Sequence, residues 1–134
     1  MGDPNITVLT VDDEPSLAES IQMVLISAGY SAFMEMDGHA AVNFCKANHP
    51  DIVLIDVALG DKSINGLEVL KRVKELKPDT ICVMITRFTD KETVEKAKEL
   101  GAFKYILKPL TADDITYIVD EAAEIVRQRK VGHG

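Results

Sequence analysis

Polar side chains that could do chemistry stand where apolar segments of this 134-residue chain end: Asp12, Asp13, Asp56, Thr86 and Lys108. Carboxylate oxygens are hard ligands that suit Mg²⁺, which commonly takes one or two carboxylates together with phosphate oxygens. If the three aspartates share one pocket, each like-charge pair about 4 Å apart costs about 4 kcal/mol at an effective dielectric constant of about 20. Such a cluster needs a counter-ion, so these residue types indicate a magnesium site.

Each of these residues also has a simpler explanation. Acids that follow a strand can cap the next helix, as Asp12, Asp13 and Glu14 could, and Pro15 suits the first turn of that helix. An isolated lysine near a strand end is usually solvated, and Thr86 could be an ordinary β-former. Helix capping explains neither Asp56, which ends a distant apolar segment, nor Lys108.

The elements that would position these residues alternate along the chain. Segments of strand length, rich in β-branched residues, predict five strands at residues 6–11, 30–36, 51–57, 80–86 and 103–108. Apolar residues spaced by about 3.6 predict five helices, one after each strand, and Thr111 with Asp114 forms a capping box before the last. Continuous apolar runs such as DIVLIDV predict strands that are buried on both faces. The fold class is therefore α/β, a doubly wound parallel sheet between two layers of helices.

Composition and charge exclude several classes of protein. The 46% hydrophobic content suits one domain, and 15 basic against 22 acidic residues give a net charge of −7, which does not favour nucleic acid or anionic lipid. The sequence has no apolar run of membrane-span length and no signal-peptide pattern, so we expect a cytoplasmic protein without membrane contact. Cys45 and Cys82 lack CxxC spacing and are expected to be small core or surface residues. We predict a flank at residues 1–5, one domain at 6–126 and a tail at 127–134.

The segments VDDEPSL, IDVALG, MIT and YILKP occur in this order at predicted strand ends. Together they resemble a response-regulator receiver domain of two-component signalling, over essentially residues 6–126. The resemblance implies a flavodoxin-like, CheY-like sheet of order 2-1-3-4-5 with five helices. In that order the first and third strands are neighbours about 4.8 Å apart, which would bring the aspartates within reach of one ion.

The resemblance also implies roles for the acids. Asp56 would be the phosphoacceptor and take a phosphoryl group from a sensor histidine kinase or a phosphotransfer protein. Asp13, Asp56 and the backbone carbonyl of Ala58 would hold Mg²⁺ directly, while Asp12 would act through a bound water. Such a domain is not a turnover enzyme, because it catalyses only its own phosphorylation and dephosphorylation.

Three further residues take roles from the resemblance. Lys108, followed by Pro109 in a cis peptide, would contact Asp56 and then a phosphoryl oxygen, and the Thr86 hydroxyl would bind another. Tyr105 would be the switch aromatic, whose ring turns inward when Thr86 moves toward the phosphate. The face of the fourth helix, fifth strand and fifth helix would then control a downstream effector or output domain, and a phosphorylation-dependent homodimer stays open.

The sequence departs from the family pattern at three places. The loop VALGDKSINGLEVL is longer than usual, either as a tolerated surface insertion or as a changed docking edge for the kinase. Ala58 offers no polar side chain to attacking water. Arg87 and Phe88 follow Thr86, where small residues prevail, and Arg87 could bind or shield a phosphorylated aspartate. We therefore expect a long-lived phosphoryl aspartate.

Two other functions compete with phosphorylation-dependent signalling. A phosphohydrolase with an aspartate nucleophile typically needs a second carboxylate two residues later, where this chain has Ala58. A pseudo-receiver, which docks partners without phosphoryl chemistry, normally lacks one of the acids, the threonine or the lysine. All of these are present, so the sequence favours a receiver.

Overall fold

Five strands alternate with five helices in a computed structural model that describes residues 2–60 and 64–132. The strands are β1 Thr7–Val11, β2 Ser31–Glu35, β3 Ile52–Ile55, β4 Ile81–Thr86 and β5 Lys104–Leu107. The helices are α1 Pro15–Ser27, α2 Gly38–Asn48, α3 Gly66–Leu76, α4 Lys91–Glu99 and α5 Ala112–Gly132. Each strand lies inside its predicted segment. Helix α5 continues through residues 127–132, which we had assigned to the tail.

All strand pairs of the sheet are parallel, in the order β2-β1-β3-β4-β5. This confirms the predicted doubly wound fold and its strand order. In the register of β1 and β3, Val11 lies opposite Ile55. Asp12 and Asp56 directly follow these two residues, so the sheet delivers both carboxylates to the same edge.

Apolar side chains pack on both faces of the sheet. Val8 of β1 belongs to the core formed with α1 and α5, whereas its neighbour Leu9 belongs to the core formed with α2 and α3. Every residue of β3 and β4 is buried. The continuous apolar runs in the sequence therefore correspond to strands covered on both sides, as predicted.

Local hydrogen bonds set where the helices begin. Thr111 and Asp114 form the predicted capping box, with reciprocal bonds of 2.9 and 3.0 Å. Asn65 accepts the backbone N–H of Glu68 at the start of α3. A Cβ at the next residue, Gly66, would lie 2.1 Å from the backbone oxygen of Asp56, so only glycine allows α3 to start this close to the third strand's end.

Burial raises the pKa values of three core side chains, two cysteines and a tyrosine. Cys45 and Cys82 are buried free thiols, and burial raises their pKa values to about 11 and about 12. The Tyr30 hydroxyl donates to Asp120 of α5, and burial followed by this hydrogen bond raises the pKa of Tyr30. The predicted longer loop after Asp56 includes residues 61–63, which lie outside the described residues.

None of the helices in the described ranges combines the length and the apolarity that crossing a bilayer requires.

Candidate functional site

An open cleft of about 380 Å³ lies at the carboxyl ends of β1, β3, β4 and β5. Its walls come from four separate parts of the chain: Asp13, Glu14, Asp56, Ala58, Thr86, Arg87, Phe88 and Lys108. Among the predicted site residues, only Asp12 and Tyr105 do not line this cleft, and both contact residues that do. The fold therefore assembles the residues that the sequence singled out.

Three carboxylates meet at the cleft, two of them in its lining and the third, Asp12, behind it. Asp12, Asp13 and Asp56 each offer an oxygen, and these oxygens lie within 4.8 Å of one another. Asp12 and Asp56 are buried, with 2% and 6% of their surface exposed, whereas Asp13 is exposed. Hard oxygen donors with one side open to water fit Mg²⁺, which keeps several waters when it binds protein.

Lys108 provides the positive charge nearest to the buried acids. Its Nζ donates to Asp56 Oδ2 at 2.7 Å and to Asp12 Oδ2 at 2.9 Å, and its side chain is 5% exposed. The sequence suggested contact with Asp56 but not with Asp12. The second bond was missed because β1 and β5 are separated by two strands, and only the length of the lysine side chain bridges them.

Backbone groups hold the remaining oxygens of the two buried acids. Asp56 Oδ1 accepts the N–H of Ala58 at 3.0 Å. Asp12 Oδ1 accepts the N–H of Glu14 at 2.9 Å. Both carboxylates are thus fixed in orientation, and Ala58 takes part through its N–H. Its carbonyl as a metal ligand stays a prediction.

Burial and hydrogen bonding act in opposite directions on the charged groups. Burial raises the pKa of Asp56 and outweighs the lowering by Lys108 and by the Ala58 N–H. Burial lowers the pKa of Lys108, but its hydrogen bonds to Asp56 and Asp12 more than offset this, so the net pKa is raised. Lys108 is therefore a cation at neutral pH, and its charge favours the ionised form of Asp56.

The backbone of Phe88 connects two hydroxyl groups. The Thr86 side chain is fully buried, and its Oγ1 accepts the N–H of Phe88 at 3.3 Å. The Tyr105 hydroxyl donates to the carbonyl of Phe88 at 3.0 Å. Thr86 and Tyr105 were each predicted to belong to a switch, but sequence alone did not indicate that one residue joins them.

Glu14 was not predicted as a site residue, yet it faces the cleft. It stands at the N-cap of α1 without a side-chain capping bond, so the helix-cap explanation does not hold for its carboxylate. Its Oε1 lies 3.6 Å from Arg87 Nη2 and 3.7 Å from Lys108 Nζ. Arg87, predicted to reach a phosphorylated aspartate, is thus paired with Glu14 in this structure. The position of Glu14 directly after Asp13 was the one available signal.

Comparisons with known proteins concern the family and the fold of the chain. The family model described as response regulator receiver domain matches residues 8–120. The chain is 33% identical over 123 residues to the nitrogen assimilation regulatory protein NtrX of Azorhizobium caulinodans, covering 92% of this chain and 27% of that protein. It is 29% identical over 111 residues to the sporulation initiation phosphotransferase F of Bacillus subtilis, covering 83% of this chain and 88% of that protein. The chain thus spans about a quarter of the length of NtrX.

Solved structures have the same fold. The receiver domain of NtrX from Brucella abortus superposes with a TM-score of 0.81 at 28% identity, covering 87% of this chain and 98% of that one. A CheY-like receiver domain protein from Methanospirillum hungatei superposes with a TM-score of 0.85 at 24% identity, covering 93% and 97% of the two chains. The second likeness supports the fold alone.

Proposed function

The chain belongs to the response regulator receiver domain family, and from this premise we propose that Asp56 accepts a phosphoryl group from a phosphohistidine of a sensor kinase or phosphotransfer protein. The observation that carries the proposal is the bridge that Lys108 makes between the buried carboxylates of Asp56 and Asp12. Two acids that are distant in sequence share one buried cation beside an open cleft. A module that only docks partners does not require a buried cation between two carboxylates.

Asp56 is arranged as a nucleophile. One of its oxygens would attack the phosphorus atom, the bond from phosphorus to the histidine nitrogen would break, and the departing imidazole would keep the electron pair and take up a proton. Lys108 and the Ala58 N–H hold the carboxylate in one orientation, at 2.7 and 3.0 Å. Phosphoryl transfer depends mostly on positioning and on neutralising charge, and these contacts supply both.

Asp12, Asp13 and Asp56 would hold Mg²⁺, since their oxygens are close together and of the type that this ion prefers. When bound, the ion would neutralise charge on the oxygens of the transferred group. Lys108 would then exchange a carboxylate contact for a phosphoryl oxygen, and the Thr86 hydroxyl would reach another. Both residues line the same cleft as Asp56.

The Phe88 backbone supports a route from the site to the surface. If Thr86 turns its hydroxyl toward a phosphoryl oxygen, it gives up the N–H of Phe88. The carbonyl of Phe88, which holds the Tyr105 hydroxyl, is part of the same residue and would shift with it. Phosphorylation would thus shift the populations of the conformers of the face formed by α4, β5 and α5. The affinity of this face for an effector or output domain would change as a result.

The walls of the cleft support a long-lived phosphoryl aspartate. Ala58 presents no side-chain group that could orient attacking water. Arg87 and Phe88 stand at the mouth of the cleft, where they would restrict access. The chain would therefore act as a slow self-dephosphorylating switch rather than as a turnover enzyme.

Incubation with acetyl phosphate and Mg²⁺, followed by intact mass measurement, tests the proposal. We expect the mass of one phosphoryl group per chain in the wild type and none in Asp56→Asn. Asp13→Asn should slow the gain, whereas Asp113→Asn, an exposed acid in the first turn of α5, serves as a matched control and should not.

Two outcomes would contradict the proposal. A wild type that gains no mass under these conditions would be a docking module without phosphoryl chemistry. Steady release of phosphate without a mass gain, over many turnovers, would identify a phosphohydrolase.

A further inference from the structure

Glu14 and Arg87 lie on opposite sides of the cleft and meet above the end of β3. Glu14 follows β1 and Arg87 follows β4, and β3 lies between these two strands in the sheet. Glu14 Oε1 and Arg87 Nη2 are 3.6 Å apart. Because Asp56 directly follows β3, the contact crosses the mouth of the cleft that contains the acceptor.

The pair is exposed, with 73% of the Arg87 side chain and 46% of the Glu14 side chain accessible. Exposed ion pairs contribute little to the stability of a fold. The pair therefore matters mainly because it fixes the position of the Arg87 guanidinium group. With Glu14 present, Arg87 already has an anionic partner before Asp56 is modified.

We infer that Glu14 is a positioning residue that competes with the phosphoryl group on Asp56 for Arg87. The inference rests on the proposed function. A phosphoryl group would bring negative charge and acceptor oxygens into a cleft that Arg87 lines, and a guanidinium binds such groups with paired hydrogen bonds. By holding Arg87, Glu14 leaves the phosphoryl group less shielded from water and shortens its lifetime.

A second contact of Glu14 must be separated from the first. The same Oε1 atom lies 3.7 Å from Lys108 Nζ, so Glu14→Gln also removes charge beside the lysine. A double-mutant cycle distinguishes the two routes, because an effect through Lys108 is the same whether or not Arg87 is present. Only an effect through Arg87 disappears when that residue is replaced.

The experiment follows the loss of phosphoryl groups from four proteins: wild type, Glu14→Gln, Arg87→Gln and the double variant. We expect Glu14→Gln to slow the loss of the phosphoryl group, and to do so about 2- to 5-fold more strongly when Arg87 is present than in the Arg87→Gln background. This range corresponds to the coupling energies of exposed ion pairs. Added salt should reduce this difference, since both groups are exposed. Equal effects of Glu14→Gln in the two backgrounds would overturn the inference.

A measurement on the unmodified protein keeps the inference separate from the proposed function. The heteronuclear NOE of the Arg87 side-chain N–H should fall in Glu14→Gln, because the guanidinium loses its partner. An unchanged NOE would overturn the inference even if Asp56 is phosphorylated. A wild type that takes no phosphoryl group would overturn both the competition and the proposed function. If the protein is phosphorylated but the effects of Glu14→Gln and Arg87→Gln on the lifetime are additive, only the competition is overturned.

Discussion

Replacing Lys108 with Met should destabilise the fold, because it leaves two buried carboxylates without a counter-ion. The change keeps the apolar stem of the side chain and removes the ammonium that lies 2.7 Å from Asp56 and 2.9 Å from Asp12. At an effective dielectric constant of about 20, each contact corresponds to about 6 kcal/mol of attraction before the cost of burying the lysine is subtracted. The two carboxylates, with oxygens within 4.8 Å, would then repel each other by about 3.5 kcal/mol or more.

Breaking a buried ion pair by removing one partner typically costs about 3 to 5 kcal/mol, and we expect Lys108→Met to lower the free energy of unfolding by that amount. Urea titrations followed by circular dichroism at neutral pH, with EDTA and again with Mg²⁺, measure the effect. Mg²⁺ should recover part of the loss, because the ion neutralises the same carboxylates. Adding Asp12→Asn to Lys108→Met should also recover stability, since one uncompensated charge disappears.

Lys104→Met is the matched control for this prediction. Lys104 lies 3.7 Å from Glu121, and both side chains are about two-fifths exposed. Its removal should cost less than about 1 kcal/mol. If Lys108→Met costs no more than Lys104→Met, or if Asp12→Asn destabilises the Lys108→Met protein further, the reasoning about a shared buried cation is refuted.

Three other predictions concern the cleft wall, the start of α3 and the core. Arg87→Ala and Ala58→Asn should each shorten the lifetime of the phosphoryl aspartate severalfold, measured by phosphate release, and unchanged lifetimes would contradict the shielding argument. Gly66→Ala should lower the free energy of unfolding by about 1 to 3 kcal/mol in urea titrations, and by more than Gly38→Ala, because a Cβ at Gly66 meets backbone atoms, the nearest at 2.1 Å, whereas a Cβ at Gly38 meets only side-chain atoms, the nearest at 2.8 Å. Because the pKa of Tyr30 is raised in the fold, its contribution to stability is complete below the ordinary tyrosine pKa of about 10 and is lost as pH rises above it. Urea titrations at rising pH should therefore show a loss in the wild type that Tyr30→Phe lacks, and parallel losses would contradict the assignment.

The sequence and the family resemblance were sufficient for the fold and for every residue that lines the cleft except Glu14. Strands β3 and β4 are apolar throughout because both faces are covered, so their pattern predicts a parallel sheet directly. The strand order 2-1-3-4-5 then made the first and third strands neighbours, which brought Asp12 and Asp56 within reach of one ion. The strand order came from the family resemblance, because apolar periodicity alone does not state which strands are neighbours.

Contacts that depend on side-chain length and direction were not predictable. The bond from Lys108 to Asp12 spans two intervening strands, and nothing in the local pattern of either residue indicates it. Glu14 occupies a sequence position that suits a helix cap, yet its side chain makes no capping bond and its carboxylate lies beside Arg87. The link from Thr86 to Tyr105 passes through the backbone amide and carbonyl of Phe88. Almost every residue has these two groups, so the sequence gives no indication of the link.

The most direct test of the account is the identity of the modified residue. After reaction with acetyl phosphate and Mg²⁺, borohydride reduction converts a phosphorylated aspartate to homoserine, and peptide mass spectrometry locates it. The account predicts homoserine at position 56 alone, dependent on Mg²⁺ and greatly reduced in Lys108→Met. Homoserine at Asp12 or Asp13, or an unmodified Asp56 in a chain that has gained a phosphoryl group, would contradict it.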